Sequence, residues 1–588
     1  MQSSSDVALS QQPSDLNTRD TLRTKPSRSI CRCCAKTLKA DVRFLGETCK
    51  AMINMKHYCK RNSKPIVLFL LALFLGISVR AGDMYDSGAS DKINQQMNQM
   101  WATFGRGENV RLAPFGNEPG WYEWMARKHC WSDTPKYRGI LHDYLVNWPQ
   151  SKDGYMWTWG NEEGWPTHHV RHNENNGKYI MAGCKYYNWQ GGKAFLESRD
   201  KTTTKSKQPN QTDVSEGRTV LEKLRAAMDY QLTTLKGSSG LAIVTHPKCD
   251  GTVDGMPSDY WDNFRFGYKS AYVNTYFYGS LVAMADLEES LGQTARALEL
   301  RSLAKQVKSN FGKTFWDAEK GRFIGCVDIT GRNWDFGFTY LNLEAITYDL
   351  ATEQQAGKIF EWLDGKRIIA SDKQKVGSHM TGATGEEIYA LGWAPLSCTR
   401  AIESIKVDGK YWWWHLGNKI TVDGNASYGE HLENGGAIFY VSHYDLMARL
   451  DTFGAENAWQ RFEGILAEHC EDGLKRDPKN NMGAAWKWGI IGEFPESGLV
   501  PASVALGFMG LDASADALII NPQLPKALPW LQVKHVNYFG GVYSIRADQL
   551  SVRIKTIQAA RRKARFRMGD NQPLALPEKG KEISVELK

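Results

Sequence analysis

Beyond residue 65 the chain has only six cysteines (Cys130, Cys184, Cys249, Cys326, Cys398 and Cys470), scattered singly with no CxxC pair. That spacing excludes a zinc ribbon and a dense disulfide scaffold and leaves buried free thiols as the plain reading. A charge excess is also missing. Residues 1–65 carry 13 Lys and Arg against 5 Asp and Glu, and the remainder carries 60 of each. The net +8 therefore belongs to the first 65 residues, and nucleic-acid binding loses its electrostatic support. No Walker loop, GxGxxG, GxSxG or catalytic Cys/His signature occurs. His168 and His172 stand four apart, but no carboxylate or Cys sits at a known zinc spacing, so no metal site is expected.

The apolar run Ile66–Ser78 is 13 residues long, short for a bilayer span and suited to the core of a signal peptide. It follows the basic stretch Lys56–Lys64, and Val79-Arg80-Ala81 offers small residues for cleavage near Ala81. The expectation is export to a periplasmic or extracellular space, with no membrane association once residues 1–81 are removed. A single membrane anchor is the alternative. Residues 1–51 are polar and unlike any folded element, which points to Met52 or Met55 as the natural start.

What the chain does have is aromatic rings and carboxylates set among them. There are 21 Trp and 24 Tyr, most of them core or rim packing, though flat rings also suit sugar faces. Two acidic clusters, SDYWDNFRFG at Ser258–Gly267 and SYGEHLENGG at Ser427–Gly436, stand about 170 residues apart, and GEFPESG follows downstream. Separated carboxylates in an aromatic setting are what glycosidic bond cleavage needs. One must arrive protonated and the other must stay ionised. Burial beside Tyr260, Trp261 and Phe264 would raise the pKa of Asp262, the preferred acid, with Asp259 as substitute. A helix cap at Asp259 or an Asp262–Arg265 ion pair is the plain structural alternative.

Glu430 and Glu433 lie three apart, and Asn434-Gly435-Gly436 opens a helix that they could merely cap. In GEFPESG, after Trp486-Lys487-Trp488, Glu496 reads as helix-entry chemistry and Glu493 as the less dispensable acid. The stretch Glu163–Asn176 gathers His172, Asn173, Glu174 and Asn175, hydrogen-bonding groups suited to sugar hydroxyls.

Apolar spacing predicts helices over Asp91–Phe104, Asn175–Trp189, Thr219–Leu235, Tyr272–Leu291, Thr294–Phe315, Tyr340–Ala351, Glu353–Leu363, Ala437–Leu450, Ala455–His469 and Val500–Met509. Short links such as Leu291-Gly292-Gln293 make neighbours antiparallel hairpins. After about Asp512, period-two alternation predicts strands at Ala517–Asn521, Leu531–Val536, Gly541–Arg546, Leu550–Thr556 and Ile583–Leu587. The polar stretch Arg199–Gly217 reads as a surface loop.

At these motifs the chain resembles the six-hairpin glycosidase superfamily. Trp261–Arg265 (WDNFR) is similar to the Trp-Asp-x-x-x-Arg motif of trehalases and processing α-glucosidases, one residue shorter, and DYWDNF to the Asp-Trp-Asn-Asp motif of cellobiose-type phosphorylases. Both likenesses put the general acid on Asp262. ENGGAIFYVSH at Glu433–His443 is similar to a helix start in those phosphorylases, but Ala437 and Tyr440 replace its phosphate-contacting Gln and His, which argues for hydrolysis. GEFPESG is similar to the segment carrying the base in processing glucosidases, two residues shorter, which favours Glu493. His172–Gly192 resembles a sugar-site helix of these proteins, and Leu511–Ile545 the start of their terminal β-domain.

The resemblance spans most of residues 90–550. It implies a mainly α fold, an (α/α)6 toroid of helical hairpins over 82–511 with a small β-sandwich-like domain over 512–588. It also implies an inverting glycoside hydrolase with no cofactor, acting on an oligosaccharide or polysaccharide. Asp262 would be the acid, Glu493 the base, and Glu433 a reserve base or sugar-binding carboxylate. Trp261, Arg265, His172, Asn175, Glu430 and Trp488 would hold the substrate. A polysaccharide lyase, a phosphorylase and a non-catalytic glycan-binding protein remain as rivals.

Overall fold

The computed structural model describes residues 82–105, 122–157, 172–201, 214–244, 251, 267–335, 339–364, 366–367, 369, 373–375, 387–389, 406–407, 410–411, 441–468 and 498–587. The chain divides into Met1–Gly82 and Asp83–Lys588, and the second unit is the one described below. Among the described residues no helix is long and apolar enough to cross a membrane. The Ile66–Ser78 run lies outside them.

Among the described residues twelve helices follow one another: α1 (Asp91–Met100), α2 (Tyr122–His129), α3 (Pro135–Asn147), α4 (Asn175–Tyr186), α5 (Val220–Thr233), α6 (Ala271–Ser290), α7 (Thr294–Phe315), α8 (Thr339–Thr347), α9 (Glu353–Leu363), α10 (Val441–Phe453), α11 (Ala455–Glu468) and α12 (Leu499–Ser503). One more short helix, Gly192–Leu196, lies in the α4–α5 connection. Local chemistry starts several of them. Thr219 and Thr352 close capping boxes with Glu222 and Gln355 ahead of α5 and α9. Ser90 and Ser270 cap α1 and α6.

Burial separates odd from even helices. In α9 the buried positions Ala356, Ile359, Phe360 and Leu363 recur at helical spacing, an amphipathic stripe joined by Trp362. In α8 eight of nine residues are buried, and in α12 all five, so these helices have no solvent face. The even helices pack in cyclic order, α2 on α4, then α6, α8, α10 and α12, which packs again on α2. These contacts close a ring of six largely buried helices, and the odd helices expose more of their residues.

The inner helices start at one end of that ring. Tyr272 and Tyr276 of α6 meet Tyr340 and Glu344 of α8 in matching order. A Cβ on Gly177 of α4 would stand 2.7 Å from the Tyr276 carbonyl oxygen, so only glycine permits this approach of α4 to α6. Further along, Met181 lies against Gly279. Trp124 of α2 ties Lys178 of α4 to Tyr444 of α10, and His443 of α10 meets Ser503 of α12. First turns thus meet first turns around the ring.

Among the described residues the strands form two larger sheets, beside one three-stranded and three two-stranded sheets built from strands of two or three residues. β1 (Tyr85–Ser87) belongs with β4 (Trp530–Tyr538), β5 (Gly541–Asp548), β6 (Ser551–Gln558) and β9 (Glu582–Glu586) in a five-stranded antiparallel sheet of order β1-β4-β5-β6-β9. A four-stranded sheet has the order β2-β3-β7-β8, from Leu511–Ala513, Leu518–Ile520, Arg565–Met568 and Leu574–Ala575, with the β3–β7 pair parallel. Alternation in β5 sends Tyr543, Ile545 and Ala547 inward, as the period-two pattern predicts.

β4 docks on the far ends of α2 and α4. The Asn537 amide donates to the Trp131 carbonyl at 2.6 Å, and the Phe539 amide to the Trp189 carbonyl at 2.9 Å. The sheet therefore lies at the opposite end of these helices from their first turns.

Helices predicted from apolar stripes match to within a few residues, with π turns at Trp101–Gly105, Tyr187–Gly191 and Val504–Phe508 accounting for three predicted extensions. Three described helices, α2, α3 and the short Gly192–Leu196, are not anticipated from the sequence. α2 (YEWMARKH) buries seven of its eight residues, charged ones included, so it shows no stripe. Cys130, Cys184 and Cys326 are buried free thiols, as read from their isolation.

Candidate functional site

Of the residues predicted to act on substrate, His172 and Asn175 fall among the described residues. Asp262, Glu493, Glu433, Trp261, Arg265, Glu430 and Trp488 lie outside them. Asn175 is the first residue of α4 and His172 stands just ahead of it, both fully buried. The two are brought together at the end of the ring where the inner helices begin.

Asn175 is unusual. Both its carboxamide oxygen and its nitrogen are buried and have no hydrogen-bond partner among the described residues. A buried amide left unpaired costs roughly 1–3 kcal/mol, so it is a group kept for something other than stability. Its neighbour Asn176 shows the contrast. That amide donates to the Gly154 and Ala227 carbonyls at 2.9 and 3.1 Å and accepts from the Met156 amide at 2.9 Å, which makes it structural. His172 Nδ1 stands 3.8 Å from Glu174 Oε1. On the sequence-based expectation that Asn175 holds a sugar, Asn175→Leu should leave the melting temperature unchanged or raised while weakening sugar binding at least tenfold. Thermal melts and a ligand titration on the same preparation check both halves.

Below Asn175 lies a layer of buried polar groups that the sequence reading does not anticipate. Lys178, one helical turn into α4, is fully buried and donates to the Tyr272 hydroxyl at 2.8 Å. Its ammonium also sits 3.9 Å from the Trp124 ring centroid and 4.5 Å from that of Tyr276, a cation held by aromatic faces. The Tyr276 hydroxyl donates to Glu344 Oε1 at 3.0 Å, while Glu344 Oε2 is buried with no hydrogen-bond partner among the described residues. Burial pushes the Glu344 carboxyl up to about 8, against the pull of Lys178 and Tyr276, with Glu123 adding to the rise.

On α2, Arg127 pairs with Glu123 and donates to the Tyr348 hydroxyl at 3.0 Å. Burial works to lower the pKa of Arg127, and Glu123, Tyr348 and Tyr444 together outweigh it and hold the guanidinium above its usual value. Trp124 Nε1 donates to the Tyr444 hydroxyl at 3.1 Å, and Tyr444 and Tyr348 touch at 3.3 Å. His443 contacts Ser503 Oγ at 2.8 Å, and burial, with Arg127 adding, holds it neutral. The layer thus joins all six inner helices through polar contacts. A sequence signal for it exists in α8, TYLNLEAIT, where Glu344 is the single charge in an otherwise uncharged helix. Among the described residues no group of His, Cys, Asp and Glu could hold a metal ion.

Residues 202–371 match a family model described as the mannosylglycerate hydrolase MGH1-like glycoside hydrolase domain. That stretch contains SDYWDNFRFG and runs from before α5 to beyond α9. The comparison with curated proteins finds no match. Among solved structures, the chain is similar to the α-L-rhamnosidase of Dictyoglumus thermophilum at 13% identity and TM-score 0.46, covering 82% of this chain and 45% of that one. It is also similar to the GH63 mannosylglycerate hydrolase of Thermus thermophilus, solved with Tris and D-glycerate, at 11% identity and TM-score 0.41. That match covers 70% of this chain and 100% of the other. The chain spans less than half the length of the rhamnosidase.

Proposed function

We propose that the chain, whose residues 202–371 match a glycoside hydrolase domain model and whose motifs resemble the six-hairpin glycosidases, hydrolyses an O-glycosidic bond with two carboxylates. One observation carries the reading. The four clusters singled out in the sequence each run directly into the start of an inner helix, and those starts share one end of the ring. HNEN leads into α4, Asp262 stands nine residues ahead of α6, Glu433 eight ahead of α10, and Glu493 six ahead of α12. Chain connectivity at ~3.3–3.6 Å per residue keeps all three carboxylates within about 30 Å of that end. Loops gathered at one end of a rigid helical body are where binding and catalytic groups concentrate.

In this reading the ring is an (α/α)6 toroid and the terminal strands are a sandwich-like accessory domain. Asp262 is the general acid, raised by its aromatic neighbours, and Glu493 the base that activates water. Glu433 is the reserve base or a sugar-binding carboxylate. Trp261, Arg265, Glu430, Trp488, His172 and the unpaired amide of Asn175 hold the sugar. The outcome is inversion, with acid and base roughly 6.5–9.5 Å apart around a water. The leader directs export, and the mature enzyme works outside the cytoplasm on a neutral or glycerate-linked glycoside.

The test is a panel of mannosylglycerate, rhamnosides and gluco- and manno-oligosaccharides, assayed for released sugar with and without phosphate. Phosphate-independent release, with the first-formed anomer inverted by NMR, is expected. A strict need for phosphate, an unsaturated product absorbing ultraviolet light, or no release from any member would each overturn the proposal.

A further inference from the structure

Lys178 and Glu344 belong to no step of hydrolysis, yet both are charged-type side chains with no exposure to solvent. A buried lysine and a buried glutamate are costly unless they do something, and their contacts converge on one element. Lys178 grips Tyr272, the second residue of α6, and Glu344 takes the hydroxyl of Tyr276, one turn later on the same face. α6 is thereby held from both sides, by α4 through Lys178 and by α8 through Glu344, over the two turns that follow the Asp262 segment.

We propose that Lys178 and Glu344 are positioning residues that fix the first two turns of α6, and with them the place from which the general acid is presented. This rests on the assignment of Asp262 made above. Neither residue touches substrate in the proposal. Each acts through a tyrosine.

The chemistry makes the arrangement sensitive to alkali. Among its contacts Lys178 is pulled two ways, by the Tyr272 hydroxyl that it now holds and by the Glu344 carboxyl, whose ionisation its charge favours. While Glu344 carries its proton, the ammonium stays on Tyr272 and the ring faces. Ionised, Glu344 becomes the stronger anchor, and its partnerless Oε2 is the atom open to receive the ammonium. Tyr272 is then released. Among the described residues, the other titratable and charged groups coupled to Glu344 are Glu123 and Arg127 on α2, Tyr276 on α6, Tyr348 just past α8 and Tyr444 on α10. Glu123 and Arg127 pair with each other and burial keeps His443 neutral, so the charge that changes here is that of Glu344, with the Lys178 ammonium acting on it. The carboxyl, pushed up to about 8 by burial, places the change between pH 7 and 9.

The experiment uses the full chain as wild type, Glu344→Gln, Lys178→Met and Lys178→Arg. Amide exchange in the first two turns of α6, corrected for intrinsic base catalysis, is followed from pH 6 to 9 alongside kcat and KM. Wild type is expected to lose protection in those turns and about tenfold in kcat between pH 7 and 9, as one ionisation near 8 dictates, with KM moving less than about threefold. Glu344→Gln should flatten both curves. Lys178→Met should lower kcat and α6 protection at every pH, and Lys178→Arg should restore part of each. Superimposable wild-type and Glu344→Gln exchange curves, or normal α6 protection in Lys178→Met, would overturn the inference. The exchange arm needs no substrate, so absence of turnover in wild type would strike the hydrolase assignment alone.

Discussion

Asp262→Asn is expected to cut turnover of a natural glycoside by about 10²–10⁴-fold, the usual contribution of one positioned proton donor. Binding should be unchanged, because asparagine keeps the shape and hydrogen-bonding reach of the neutral acid. The informative half of the experiment is a second substrate. An aryl glycoside with an acidic phenol as leaving group departs without protonation, so the same variant should recover most of its rate on it. Glu493→Gln behaves differently if Glu493 is the base. It loses activity on both substrates, since water activation is needed whatever leaves. Running Glu433→Gln beside it separates the two glutamates: the base variant fails on both glycosides with KM unchanged, and a sugar-binding carboxylate shows itself through KM. Near-normal turnover in Asp262→Asn on the natural substrate would remove the acid assignment outright.

Much of the fold is legible in the sequence because most outer helices keep one wet face. α9 and α11 show their burial as a stripe, and Thr219 and Thr352 announce helix starts by their capping partners. Strands β4 to β6 alternate cleanly because each has one inward face. The inner ring follows a different rule. A helix surrounded on all sides has no polar face to set the period, which is why α2 escapes notice and α8 reads as merely apolar. α3 hides behind its proline start and a mixed face.

The candidate site divides along the same line. Clusters such as SDYWDNFRFG stand out because carboxylates, rings and glycines are adjacent in sequence. The Lys178–Tyr272–Tyr276–Glu344 layer is assembled from three helices, with no two members closer than four residues apart in the chain. Periodicity places each one on its helix, but only tertiary structure shows that they meet. Asn175 bridges both cases. Its neighbours His172, Asn173 and Glu174 mark it in the sequence, and its unpaired amide marks it in the fold.

The largest stability loss is expected at Arg449, which separates scaffold from site. Arg449 of α10 is almost wholly buried. Its Nε donates to Asp445 Oδ1 at 2.9 Å, one Nη donates to Asn457 Oδ1 at 3.0 Å, and the guanidinium pairs with Asp364 at the end of α9. Arg461 of α11 closes the network, reaching Asp445 and Asp364 at 3.2 Å each. Removing one partner of a buried charge network costs about 3–5 kcal/mol, mostly because the others are left uncompensated. Arg449→Met, with similar bulk over the Phe360 ring, is expected to lose that much in denaturant unfolding, and Asp445→Asn in the same chain should return part of it.

The sign with pH follows from Asp364. Burial would raise its carboxyl, but Arg449 and Arg461 hold it below the ordinary range. The stability it contributes is therefore present above that ordinary range and lost as pH falls through the depressed folded value. Arg449→Met should flatten this acid limb while leaving kcat per folded molecule intact, since Arg449 lies more than a turn beyond Tyr444 and away from the ring's starting end. Asp262→Asn should do the reverse, abolishing turnover on an unchanged unfolding curve. A variant set that failed to split in this way would mean that the charged network and the carboxylates are one machine, and that the ring's stability and its chemistry cannot be assigned to different ends.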